Sequence, residues 1–204
     1  MENDAPPACG VEVVKSPLSA HAPGHNAMPN ATQPHVGIIA TSLSSDSRSQ
    51  LLAREALSKL QAQKVRATLV DLREHALPFT GSDASWGDPA VGKMKTLALT
   101  MTHLLFAVPI YNYDVNALAK NFVELMGSDV LENKTVAFLC SAGGQGSFMS
   151  VMAFANSLML DFRCWIAPRF LYVTDDFSPG ALPKKLDERL DSLLRDLLTR
   201  GLQQ

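Results

Sequence analysis

Three stretches of this chain combine side chains and backbone suited to holding a ligand. The first is Tyr111-Asn112-Tyr113, two aromatics around an amide, reached just after the hydrophobic run 103–108 meets Pro109. A buried parallel strand that ends in such a loop delivers it to the carboxyl edge of a sheet, where open α/β folds bind ligands. Aromatic rings and a closely approaching backbone suit a flat, partly apolar molecule. The second stretch is Thr41-Ser42-Leu43-Ser44-Ser45-Asp46-Ser47-Arg48-Ser49, which lies between an apolar run and a helix-like pattern. Free N–H groups and the helix dipole would face that loop, and hydroxyls add donors, an arrangement that binds phosphate. Five hydroxyls between Thr41 and Ser47 exceed what capping one helix requires. The third stretch, Ser141-Ala142-Gly143-Gly144-Gln145-Gly146-Ser147, holds three glycines in four residues, so its backbone can approach a ligand closely.

Other chemistries find little support. A net charge of -2 supplies no basic field for nucleic acid or an anionic membrane. No apolar run reaches the ~18 residues of a spanning helix. Cys9, Cys140 and Cys164 show no CxxC spacing, which suits a reducing cytoplasm without a disulfide framework. None of His21, His25, His35, His75 and His103 pairs with Cys, Asp or Glu at metal-ligand spacing, so no metal is expected. Asp71 ends a strand-like run as the ribose-binding acid of a dinucleotide fold would, but the first loop has no G-x-G-x-x-G.

The elements that must position the three loops are legible in the pattern. Residues 36–40 read as a buried strand, and Leu51, Leu52, Ala56, Leu57 and Leu60 recur at helical spacing after it. Residues 65–72 read as a second strand, 75–89 as a polar loop, 90–101 as a helix and 103–108 as the third strand. Residues 117–126 form a helix stopped by Gly127, and 135–140 a fourth strand. Residues 148–160 are apolar almost all round, which predicts a helix covered on more than one side, the second cover being another subunit. Residues 164–166 and 170–173 read as a last strand interrupted by Pro168. Leucines from Leu182 to Leu198 trace one face of a closing amphipathic helix.

Residues 1–34 differ, holding six of the 12 prolines and almost no hydrophobic periodicity. By composition they form a disordered extension, either a genuine tail or the product of a start assigned upstream of Met28. Residues 35–204 are expected to form one domain.

Strands alternating with helices predict an α/β, flavodoxin-like three-layer sandwich: a five-stranded parallel sheet of order 2-1-3-4-5. The three unusual loops follow strands one, three and four, around the switch point where a flavin mononucleotide can sit. On these residues the chain resembles the NADPH-dependent FMN reductase family, which includes quinone, chromate and azo-dye reductases. The family's phosphate loop G-S-x-R-x-x-S-x-N finds Ser42 and Ser47 in place, with Thr41 for Gly, Ser44 for Arg and Ser49 for Asn. Arg48 is the residue that would replace the charge. Its second motif, P-E-Y-N-x-x-x-P-x-x-L-K-N, finds Pro109, Tyr111, Asn112, Lys120 and Asn121, with Ile110 for Glu and Asn116 for the second Pro.

The resemblance implies FMN and NAD(P)H. Ser42, Ser44, Ser47, Arg48 and Ser49 would hold the phosphate, and Pro109, Ile110, Tyr111, Asn112 and Tyr113 would line the ring. Ser141, Ala142, Gly143 and Gly144 would meet its polar edge. It further implies hydride transfer through the flavin to a small electron acceptor such as a quinone, free flavin, azo compound or metal oxyanion, with no catalytic side chain. The cysteine usage and the apolar run 148–160 point to a cytoplasmic homodimer or homotetramer. Two other readings stand beside it. One is an FMN-binding electron carrier or interaction protein without nicotinamide turnover, although a net charge of -2 is weak for a carrier's acidic docking face. The other is a structural dimer that no longer binds FMN.

Overall fold

The computed structural model describes residues 33–200; the extension read from composition lies outside them but for its last two residues. β1 (His35–Ala40) is buried along its whole length. Its alternate residues feed two separate cores, because successive side chains of a strand point to opposite faces. Val36, Ile38 and Ala40 pack with Leu52 and Ala56 of α1 (Arg48–Ala62) and with Leu190 and Leu194 of α7 (Lys184–Arg200). Ile39 belongs to the opposite core, with Phe122 of α4 (Ala117–Met126) and Phe154 of α6 (Val151–Phe162). α3 (Pro89–Leu99) covers the same face through Val91, Met94 and Ala98. The result is the three-layer sandwich that the pattern predicts.

The centre of that second core is Phe106, on β3 (His103–Tyr111). Its ring lies 6.0 Å from Phe122, 6.2 Å from Phe138 of β5 (Thr135–Ser141) and 5.5 Å from Phe154. Such pairs contribute about 0.5–1.5 kcal/mol each beyond area burial. Gly37 is the one β1 position where a side chain has no room: a Cβ there would stand 2.1 Å from the buried Met101 sulfur.

Among the described residues the sheet has seven strands rather than five. β2 (Arg66–Asp71), β1, β3 and β5 are parallel neighbours in that order, and β6 (Trp165–Ile166) and β7 (Leu171–Val173) both pair with β5. Those two are segments of one edge, broken around Pro168 because proline cannot donate to a ladder. The remaining strand, β4 (Asp114–Val115), returns antiparallel against the end of β3. Two one-turn helices also escape the pattern, being too short for a period to show: α2 (Asp83–Trp86) inside the expected 75–89 loop, and α5 (Ser128–Leu131) after Gly127.

Candidate functional site

Pro109 does not end its strand. β3 continues to Tyr111, where a two-residue turn of Asn112 and Tyr113 leads into β4. The missing proline N–H removes no partner from the sheet. The Ala107 carbonyl accepts from the Thr41 amide at 3.1 Å, so the next donor on that side of β3 falls at residue 109. The carbonyl it would have served, that of Thr41, accepts instead from Asn116 Nδ2 at 2.7 Å.

Both turn residues have positive φ, 50° at Asn112 and 62° at Tyr113. This is the handedness a tight hairpin demands, and the usual sequence for it is Asn-Gly. Tyrosine in this region carries a backbone cost of roughly 1–2 kcal/mol. The strained turn leaves Tyr111 56% and Tyr113 72% exposed, while Ile110 is buried in the core.

The hydroxyl loop joins β1 to α1. Ser47 is the N-cap, its Oγ accepting from the Gln50 amide at 3.4 Å. Ser47 and Ser49 bond each other through their hydroxyls at 2.8 Å, and both are buried. The amides of Arg48 and Ser49 open the helix and have no intrahelical acceptor. Ser42 is buried and its Oγ accepts from the Ser44 amide, whereas Ser44 itself is exposed. Arg48 turns toward the far edge of the sheet, donating to the Thr174 carbonyl and standing 3.7 Å from Asp176.

The glycine loop follows β5. Ser141 and Ala142 are buried, and the Ala142 amide donates to the Val173 carbonyl at 2.9 Å. Gly143 and Gly144 are exposed, and a Cβ on either would meet nothing within 4 Å, so their backbone faces open space. Tyr172 fixes the loop from beneath, its hydroxyl donating to the Gly144 carbonyl and lying 2.6 Å from Ser147 Oγ. A Cβ at Gly146 would be 3.6 Å from the Tyr113 hydroxyl. A cavity of about 280 Å³ opens there between Tyr113, Asn112, Ile110, Gly144 and Gly146.

The three loops thus meet at one end of the sheet. The aromatic hairpin touches the glycine loop through Tyr113, and it is bonded to the hydroxyl loop through Thr41 and Asn116. Helix amides and hydroxyls at one side suit phosphate, exposed rings and open glycine backbone at the other suit a flat heterocycle. Neither described cysteine offers a thiolate, since burial pushes Cys140 well up and Cys164 up to about 11.

Some expected contributors point elsewhere. Ser49 faces inward, and Ile110, although it borders the cavity, is buried in the core. Lys120 pairs with Glu124 at 3.4 Å on the surface. Asn121 pins the loop after β2, accepting from the Thr80 amide at 2.8 Å and donating to the Pro78 carbonyl at 3.0 Å.

Three residues beside the site escaped the sequence reading. Asn116 sat in a motif where it merely replaced a proline. Gln50 is buried and donates to the Ser42 carbonyl and to Asp71, leaving its Oε1 without a partner among the described residues. Arg73 pairs with Asp71 through Nε and Nη2 and donates from Nη1 to the Ser44 carbonyl at 3.4 Å. Burial alone would raise the Asp71 carboxyl, but hydrogen bonds from Arg73 and Gln50 hold it below the usual carboxylate range. The only sequence signal for Arg73 is its closeness to Asp71: it lies in the turn just past β2, where the Asp71 carboxylate also accepts from its amide at 3.1 Å.

The sequence model of one family, described as NADPH-dependent FMN reductase, matches residues 34–177. The chain belongs to that family and is an oxidoreductase of the flavin-dependent kind. No curated protein matches it. Among solved structures it is similar to FerB, a flavoenzyme NAD(P)H:(acceptor) oxidoreductase from Paracoccus denitrificans, at 19% identity and a TM-score of 0.67, over 82% of this chain and 98% of that one. An apo NADH:FMN oxidoreductase, EMOB, gives 16% identity and a TM-score of 0.65 over 81% and 91% of the two chains. A flavodoxin from the domain Archaea gives 10% identity and 0.55 over 82% and 98%. At these identities the likeness establishes the fold, which is flavodoxin-like.

Proposed function

We propose that residues 35–204 form one FMN-binding domain that reduces a small acceptor at the expense of NAD(P)H. Membership of the family supplies the class of reaction. The observation that supports the site is the convergence of the three loops, with the strained Asn112-Tyr113 turn holding two exposed tyrosines beside open glycine backbone.

The residues present fit FMN. The amides of residues 48 and 49, with the loop around Ser42, Ser44 and Ser47, would hold the phosphate. The Arg48 side chain is committed to the Thr174 carbonyl and Asp176, so its charge reaches the phosphate only if it leaves them. Tyr111 and Tyr113 would stack on or border the ring system, with Pro109, Ile110 and Asn112 giving the hairpin its shape. Ala142, Gly143 and Gly144 would present backbone donors to the polar edge of the ring, with Ser141 anchoring the loop, and such donors favour negative charge there. When bound, FMN supplies two-electron chemistry, taking hydride from a nicotinamide and passing both electrons on. In balance, NAD(P)H and one proton are consumed, NAD(P)+ is released, and the acceptor gains two electrons and two protons. A quinone, free flavin, azo compound or metal oxyanion fits the acceptor role.

The chain's own residues bind and orient, and no side chain need move a proton at a reacting carbon. A homodimer or homotetramer fits the apolar outer face of α6, where Met152, Met159 and Leu160 are exposed beside Phe148 and Met149.

The test is optical. The purified protein should be yellow, or turn yellow with added FMN, and should bleach anaerobically with NADPH or NADH. A colourless protein that takes up no FMN overturns the flavin site, and a yellow protein that neither nicotinamide bleaches overturns the reductase.

A further inference from the structure

A second cavity, of about 260 Å³, lies beside the proposed flavin site on its β2 side. Leu72, Leu77 and Leu118 form its apolar floor, and Leu43 and Phe79 stand at its rim, 62% and 77% exposed. Leucine and phenylalanine so exposed, side by side on a concave surface, are the apolar part of a binding site rather than scattered surface residues. The wall is built and held. Asn121 spends its amide on the backbone of residues 78 and 80 and so fixes the segment that carries Phe79.

One end of the cavity is polar. Asp71, itself only 4% exposed, takes the Nε–Nη2 edge of the Arg73 guanidinium, which locks that side chain in place. Among the described residues the terminal Nη1–Nη2 edge carries only the long bond to the Ser44 carbonyl, and the side chain keeps 28% of its surface open. Arginine presents paired N–H donors in a fixed plane that matches a carboxylate or sulfonate.

The cavity also adjoins the three-loop site on both flanks. Leu43 belongs to the hydroxyl loop, and Leu118 lies in the first turn of α4, directly after the aromatic hairpin.

We propose that this cavity is a recognition pocket for the electron acceptor, and that it takes a flat aromatic anion of about two fused rings. The rings lie on Leu72, Leu77 and Leu118 under Phe79, and the carboxylate or sulfonate meets the free edge of Arg73. The volume, just below the ~300–1,000 Å³ of ordinary small-molecule sites, suits such a body and excludes a whole dinucleotide. The assignment of the bound molecule as acceptor rests on the reductase reading; the pocket itself does not.

The test is calorimetric titration of the purified protein, supplied with excess FMN, with naphthalene-2-sulfonate and, in parallel, with uncharged naphthalene-2-methanol. One sulfonate should bind per chain, at least tenfold more tightly than the alcohol. Phe79→Ser, at a largely exposed position, should weaken both ligands. Arg73→Lys, which keeps a cation beside Asp71, should weaken the sulfonate alone and bring the two ligands within about threefold. Absence of sulfonate binding, or binding that Phe79→Ser leaves unchanged, overturns the pocket. Steady-state turnover then tests the role. The ratio of kcat/KM for 1,4-naphthoquinone-6-sulfonate to that for 6-(hydroxymethyl)-1,4-naphthoquinone should fall at least fivefold in Arg73→Lys, and an unchanged ratio overturns the acceptor assignment. The two readings fail separately: a protein that never takes up FMN can still bind the sulfonate, and a yellow, NADPH-bleached protein can fail to.

Discussion

Thr41 and Asn116, 75 residues apart, hydrogen-bond each other in both directions: Thr41 Oγ1 donates to Asn116 Oδ1 at 2.6 Å, and Asn116 Nδ2 donates to the Thr41 carbonyl at 2.7 Å. Both are buried, and between them they fasten the end of β1 to the foot of the aromatic hairpin. They are also two of the positions at which the chain departs from the motifs of its family. The departures therefore belong together, since the side-chain amide of Asn116 serves a carbonyl that Pro109 cannot.

Removing one partner should cost more than the bond itself is worth, because a buried carbonyl is left unsatisfied. Asn116→Ala is expected to lower stability by about 1–3 kcal/mol. Thr41→Val should cost less, and the double variant should fall short of the sum by at least ~0.5 kcal/mol. Urea unfolding midpoints of the four proteins measure this; strict additivity would show that the two side chains do not act as a pair.

Tyr113→Gly separates strain from function. Glycine accepts a φ of 62° without the penalty that tyrosine carries. The variant should gain up to about 1 kcal/mol in stability while binding FMN at least several-fold more weakly. A variant less stable than the parent would mean that the exposed ring contributes more to folding than its turn costs.

Gly144→Val probes the open backbone from the opposite side. A Cβ there meets nothing within 4 Å and the residue is extended at φ -172°, so the fold should tolerate the change to within about 0.5 kcal/mol. The side chain then stands where the ring edge is placed. FMN affinity, read by fluorescence quenching on titration, is expected to fall at least tenfold, and an unchanged affinity would move the ring away from this loop.

Gly37→Ala should be felt at the other end of the sheet. The added methyl would stand 2.1 Å from the Met101 sulfur and 3.2 Å from Leu104, both buried. Overpacking of this kind costs about 1–3 kcal/mol. Met101→Ala in the same background should recover part of the loss, and no recovery would place the clash elsewhere.

Stability should also depend on pH through His103 and Lys134. Burial, with a smaller contribution from nearby Lys134, lowers His103 to about 4 from 6.5, and its Nε2 has no hydrogen-bond partner among the described residues. The folded state keeps this ring neutral while the unfolded chain protonates it. Stability is therefore present above about pH 6.5 and lost as pH falls toward 4, on the order of 3 kcal/mol. Burial likewise lowers Lys134 to about 8 from 10.5, although its ammonium donates to the carbonyls of Ala98 and Met101. Its contribution has the same sign in a higher window, with stability rising between about pH 8 and 10.5. Unfolding midpoints of the parent and of His103→Gln across pH 4–7 test the first; parallel curves would rule it out.

Local pattern sufficed for much of this protein. Continuous apolar runs mark strands buried on both faces, and leucines at helical spacing mark the helices that cover them. From those alone came the layers, the parallel order and the three loops that belong at one edge, since alternating strands and helices leave few ways to wind. What tertiary structure decided involves residues far apart in the chain or elements too short to have a period. Pro109 could continue a strand because β1 had already ended beside it and Asn116 stood within reach. Arg48 was drawn across to Thr174 and Asp176, while Arg73, unremarked in its own segment, came to rest against Ser44. A hydrogen bond across 75 residues leaves no trace in periodicity, because periodicity records only which face of an element is dry.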